Sequence, residues 1–306
     1  MFMSFLKKRE TPVQNIAYIG IMAAINVVFV LISSLLPVLF FLLVFILPLT
    51  SVIVTIYCKK IYFPIYFLTT IGLCLAVTFG FSIFDTFIYV LPSLITGFIF
   101  GLSIEKKIPA VYILIINSIV LYLSTYLTFL FIDKIIGEVS FFESIYTIFG
   151  LQNFQHKLVL THIFTYVIAQ IQVVLTYIVV RYEAIRINNE INLKVTNRFI
   201  MYIITFVGLL FTLLAVFFFQ DYAILFTLVV FPITVYQIID LLLKKKIWVY
   251  VALGLSLLSF IFLFAYLYQF IPEPNQLVLI YIFFVEITII DFIVNYCFQK
   301  KVETIQ

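Results

Sequence analysis

Ten apolar runs, each close to twenty residues long, alternate with short polar turns along this chain. They fall at about 13–36, 38–58, 61–80, 84–103, 109–132, 157–181, 198–219, 222–243, 247–270 and 277–299. A helix needs roughly 20 residues to cross a hydrocarbon core. In lipid each span must satisfy its own backbone, so the pattern predicts helices. The expected fold is all-α: a polytopic transmembrane helical bundle of about ten spans. Composition agrees, with 65% hydrophobic and 10% charged residues in 306. A soluble core of that length cannot bury so much apolar surface.

The cations give a topology. Lys7, Lys8 and Arg9 precede the first run, and Lys59 and Lys60 follow the second. Lys106 and Lys107 follow the fourth. Arg181, Arg186, Lys194 and Arg198 lie between the sixth and seventh, Lys244, Lys245 and Lys246 after the eighth, and Lys300 and Lys301 after the tenth. The opposite turns hold only Lys134 and Lys157. The positive-inside rule then puts both termini and every even-numbered turn in the cytoplasm, in a multi-pass protein of the cell (plasma) membrane. The net charge of +4 is thus a topology signal. No basic stretch forms a groove for nucleic acid. The first run is too long, and lacks the small-residue end, for a cleavable signal peptide, so it reads as a retained span.

Two connections are longer than a turn. Residues 133–156 carry Val139, Phe142, Ile145, Ile148 and Phe149 at helical spacing beside Glu138 and Glu143, which predicts a short interfacial helix. Residues 182–197 are polar and Asn-rich. They divide the chain into a six-span module (1–182), a cytoplasmic linker (183–197) that extends span six, and a four-span module (198–306). Pro48, Pro92 and Pro232 interrupt spans two, four and eight. Cys58, Cys74 and Cys297 form no disulfide framework and read as packing residues.

Ionisable groups inside spans are costly and usually face the bundle interior. Glu286 sits near the middle of span ten, and Asp291 five residues on, about 500° around a helix and so on another face. Asp291 and Asn295 share a face at i, i+4. No Lys or Arg lies deep in a span to neutralise Glu286. It is protonated, hydrogen-bonded to a polar neighbour, or exposed to a wet cavity. Asp240 has Lys244 at i+4 and predicts a weak interfacial ion pair. Asp85, after Ser82, reads as a helix cap. Span six is the most polar. Thr161, Thr165, Ala169, Gln172 and Thr176 form one stripe, with His162, Tyr166 and Gln170 beside it. Such a helix faces protein or water. His156 lies six residues from His162 in a loop, and no second ligand lies at metal spacing, so no metal site is expected. There is no P-loop, HExxH or GxSxG, and neither an enzyme nor a cofactor is expected.

In span one, NIAYIGIMAAINVVFVLISSLLP, Ala17, Gly20 and Ala24 make a small-residue stripe that permits close helix approach. With FILPLTSVIV, and with LPSLITGFIFGLSIEKK ending in a basic turn, residues 13–182 resemble the S components of energy-coupling-factor transporters. Gly20 stands where that family's motif has Ala, and the spans at 198–299 exceed its six. The resemblance implies a bacterial membrane protein that binds a small-molecule solute. A coupling membrane subunit would dock on helix one and ATPases would supply energy. It also implies a solute site on span six at Thr161, His162, Thr165, Tyr166 and Gln170. The competing expectations are a secondary carrier switched through Glu286 and a non-transporting scaffold or assembly protein.

Overall fold

The computed structural model describes residues 8–36, 40–79, 86–136, 143, 146–147, 157–187, 198–218, 223–270 and 278–297. Among these there is no strand, and ten α-helices follow one another: α1 (Pro12–Leu35), α2 (Phe40–Tyr57), α3 (Phe63–Thr78), α4 (Leu91–Glu105), α5 (Ala110–Ile136), α6 (Lys157–Ile187), α7 (Arg198–Phe218), α8 (Ala223–Leu243), α9 (Ile247–Leu267) and α10 (Ile280–Phe292). Each overlaps one of the apolar runs. Seven helical segments are long and apolar enough to cross a membrane, and shorter apolar stretches occur at Ile46–Tyr57 and Val229–Leu243. Exposed large hydrophobics such as Phe206, Leu210, Phe217, Leu255 and Phe262 cover α7 and α9. Contiguous apolar surface on that scale is untenable in water. Length and composition mark an integral, multi-pass membrane protein.

Local chemistry explains several helix ends. Thr11 caps α1: its hydroxyl accepts from the Gln14 N–H at 3.3 Å, and the Gln14 side chain answers the Thr11 N–H at 3.5 Å. Pro12 occupies the first turn, where no intrahelical partner for its nitrogen is needed. Pro92 opens α4, just after a wide π-helical turn at Thr86–Val90. Pro48 and Pro232 lie inside α2 and α8. The basic turns after α4 and α8 each carry a lysine in the left-handed region, Lys107 (φ 54°) and Lys245 (φ 51°). Helix α6 runs on to Ile187, past the predicted end of its span.

The chain separates into two compact units. The first comprises Met1–Gln152 and Thr165–Lys194, the second Asn153–Phe164 and Val195–Gln306. The first unit is built on α1, α2, α3 and α4. Gly97 and Gly101 press α4 onto α2 so closely that a Cβ on Gly97 would overlap the Pro48 carbonyl and lie 2.5 Å from the Ser51 Cβ. One on Gly101 would lie 2.5 Å from the Thr55 Cβ. Small residues let two backbones touch, which drives helix association where no hydrophobic effect operates. The Ser51 hydroxyl then reaches the Leu94 carbonyl at 2.7 Å. The second unit packs α7, α8, α9 and α10, with Tyr281, Phe284 and Val230 in one apolar cluster. The predicted interfacial helix at 139–149 lies largely outside the described residues, as do Ser82, Asp85 and most of the linker.

Candidate functional site

Polar side chains form clusters in both units. In the first unit, Asn26 of α1 donates to the Tyr66 hydroxyl of α3 at 2.8 Å. Tyr66 donates to Thr50 of α2 at 3.1 Å, and Thr50 donates back to the Asn26 carbonyl oxygen at 2.7 Å. All three residues are buried. The Thr50 hydroxyl also lies 2.8 Å from the Leu47 carbonyl of its own helix, and the three side chains together join α1, α2 and α3. Sequence reasoning passed over this ring. The available signal was Asn26 itself, a polar residue halfway along an apolar span.

Span six turns its polar stripe inward and leaves Val167, Ile168 and Ile171 exposed on its other face. Thr165, Tyr166 and Gln170, in the first unit, are buried. Thr161 is buried and His162 half-buried, and both belong to the second unit. The Ser118 hydroxyl donates to the Leu114 carbonyl at 2.7 Å and lies 2.9 Å from the side-chain amide of Gln170. Asn117, next to Ser118 on α5, leaves its Oδ1 unpartnered. Gln172 Nε2 donates to Ser93 Oγ at 2.6 Å. The Tyr166 ring stands edge-on to Tyr122 with centroids 5.5 Å apart.

In the second unit the two carboxylates of α10 have opposite surroundings. Asp291, 1% exposed, is saturated. Its Oδ1 accepts from Arg198 Nη1 at 3.1 Å and Asn295 Nδ2 at 2.7 Å, and its Oδ2 from the Tyr202 hydroxyl at 2.9 Å. Arg198 also reaches Asp240 Oδ2 at 2.8 Å. Lys244 stands 4.0 Å from Asp240 and donates to Asn295 Oδ1. The i, i+4 pairing of Asp291 with Asn295 is as expected. The weak i, i+4 pair of Asp240 with Lys244 is present, and Arg198 is the nearer cation, shared with Asp291. Its two partners lie 42 and 93 residues away, so no local spacing points to them. Glu286 meets no cation among the described residues. Ser256 Oγ lies 2.7 Å from its Oε2, and Ser259 Oγ 2.8 Å from its Oε1. A cavity of about 390 Å³ between α7 and α10 touches Glu286 on its way past Leu213, Ile282 and Val285.

The stripe of Ala17, Gly20 and Ala24 faces outward on α1. No atom lies within 4 Å of a Cβ built on Gly20. Among the described residues nothing closes over Gly20, unlike Gly97 and Gly101. Cys58 and Cys74 are free and buried. Among the described residues no three His, Cys, Asp or Glu side chains converge as a metal site.

No protein-family model, curated protein or solved structure matches this chain.

Proposed function

We propose that this membrane protein is transport-related, that it binds a small-molecule solute, and that it relies on a partner for energy. One observation carries the proposal, the outward stripe on α1. Ala17, Gly20 and Ala24 are exposed, and the space over Gly20 is open. A partner helix can approach there as closely as α4 approaches α2 inside the first unit. The expected occupant is a coupling membrane subunit with its ATPases. The solute side of the proposal draws on the buried Tyr166 and Gln170 of α6.

The test is affinity purification from the native membrane, with mass spectrometry of co-purifying proteins and retained small molecules. Wild type should bring down an ATPase and a coupling membrane subunit. Gly20→Leu with Ala24→Leu should lose both and keep its thermal stability, because both added side chains point away from the protein's own core. Absence of both partners from the wild-type preparation, or their undiminished recovery with the double variant, would overturn the proposal.

A further inference from the structure

Helices α7 and α10 close on each other at Gly208. A Cβ there would lie 2.6 Å from the Tyr281 hydroxyl of α10, and that hydroxyl donates to the Thr205 carbonyl of α7 at 2.6 Å. On either side of this pinch the two helices leave a cavity between them. Toward the start of α7 it has about 380 Å³ and is walled by Phe199, Phe206, Ile289 and Phe292. Toward the end of α7 lies the cavity of about 390 Å³ walled by Leu209, Leu213 and Ile282. Val285 of α10 borders both. Phe199, Phe206, Leu213 and Ile289 are exposed, so each cavity opens sideways. Together they follow α7 from Phe199 to Val216, about 25 Å at 1.5 Å per residue. A hydrocarbon core is about 30 Å thick, so each cavity takes up roughly the depth of one leaflet.

Polar residues border both cavities, but their polar atoms are engaged elsewhere. Tyr202 donates to Asp291 at 2.9 Å, Thr205 to the Met201 carbonyl at 3.1 Å, and Thr288 to the Phe284 carbonyl at 2.8 Å. The Glu286 oxygens are held by Ser256 and Ser259 of α9. The Thr212 hydroxyl is itself buried. A polar solute entering here would lose its water and gain no hydrogen bond, so the walls select aliphatic matter. A transmembrane helix is a poor fit. Helices associate in lipid through small residues that let backbones meet. These walls carry Phe, Leu and Ile, and Gly208 is already closed by Tyr281. A lipid tail is thin and flexible enough to follow them.

We propose that the two cavities hold acyl chains of bilayer phospholipids, one chain entering from each leaflet, and that these chains complete the packing of α7 against α10. The site is separate from the partner-dependent reading of the protein and stands whether or not that reading holds.

Native mass spectrometry of the full-length protein, purified in detergent and washed free of loosely held lipid, reads the phospholipid retained. Wild type should keep phospholipid through the wash. Ile289→Trp fills the first cavity and Leu213→Trp the second. Each should remove part of the retained phospholipid, and the double variant should remove it all. Leu255→Trp is the control: Leu255, on α9, is 61% exposed against 49% for Ile289 and 50% for Leu213, and it borders neither cavity. It should retain as much phospholipid as wild type. A second readout serves if a variant is unstable. Phosphatidylglycerol or phosphatidylcholine added to delipidated protein should raise Tm in wild type and in Leu255→Trp, because a ligand of the folded state stabilises it. The rise should be much smaller in Ile289→Trp with Leu213→Trp. Washed wild type without phospholipid, or equal loss in Leu255→Trp, would mean boundary lipid only and overturn the proposal. So would a co-purifying protein whose recovery, in place of lipid, is lost in Ile289→Trp, since a helix would then fill the groove.

Discussion

Gly97→Ala adds a single carbon atom, and its sign separates a closed helix contact from an open one. The new Cβ would overlap the Pro48 carbonyl oxygen and sit 2.5 Å from the Ser51 Cβ. Backbone oxygen cannot rotate aside as a side-chain tip does, so α4 must move off α2. Overpacking of this kind costs about 1–3 kcal/mol. The higher helix propensity of alanine returns up to about 1 kcal/mol. With the full return the net expectation is a loss of up to about 2 kcal/mol, or a fall of up to several °C in apparent Tm. The same exchange at Gly20 meets no atom within 4 Å. Gly20→Ala should therefore gain the propensity term alone and leave Tm equal or slightly higher. Both variants can be followed by thermal unfolding of purified protein in one detergent, at one scan rate. Equal Tm values for the two would refute the claim that α4 and α2 are in backbone contact at Gly97. So would a drop confined to Gly20→Ala.

Two further perturbations address the polar clusters. Tyr66→Phe opens the Asn26–Thr50–Tyr66 ring and strands a buried donor on Asn26, at about 1–3 kcal/mol. Adding Asn26→Leu should cost less than the sum of the single changes, and strict additivity in thermal unfolding would show that the three side chains do not act as a unit. Arg198→Ala leaves the carboxylate of Asp291 buried without its cation, at about 3–5 kcal/mol, and Asp291→Asn in the same chain should restore much of the loss. Lys244→Ala should be milder, because Asp240 keeps Arg198 at 2.8 Å. A larger loss from Lys244→Ala would reverse the assignment of the shared cation.

The sequence by itself determined the class of the protein and the places of its helices. A bilayer demands about twenty apolar residues per crossing and forbids unpaired backbone, so span positions are written in local composition. It also determined which residues could not face lipid. Gln170, Gln172 and Asp291 were expected inside, and Gln170 and Asp291 are buried while Gln172 is bonded to Ser93. Only the tertiary structure decided partners. Arg198 and Asp291 are far apart in sequence, as are Asn26 and Tyr66, and no periodicity encodes which helix lies next to which. The two small-residue stripes make the same point. Gly20-xxx-Ala24 and Gly97-xxx-Gly101 look alike as text, yet one faces open space and the other is filled by Pro48, Ser51 and Thr55. A small side chain permits close approach from any direction, and the rotation of its helix in the bundle decides what approaches.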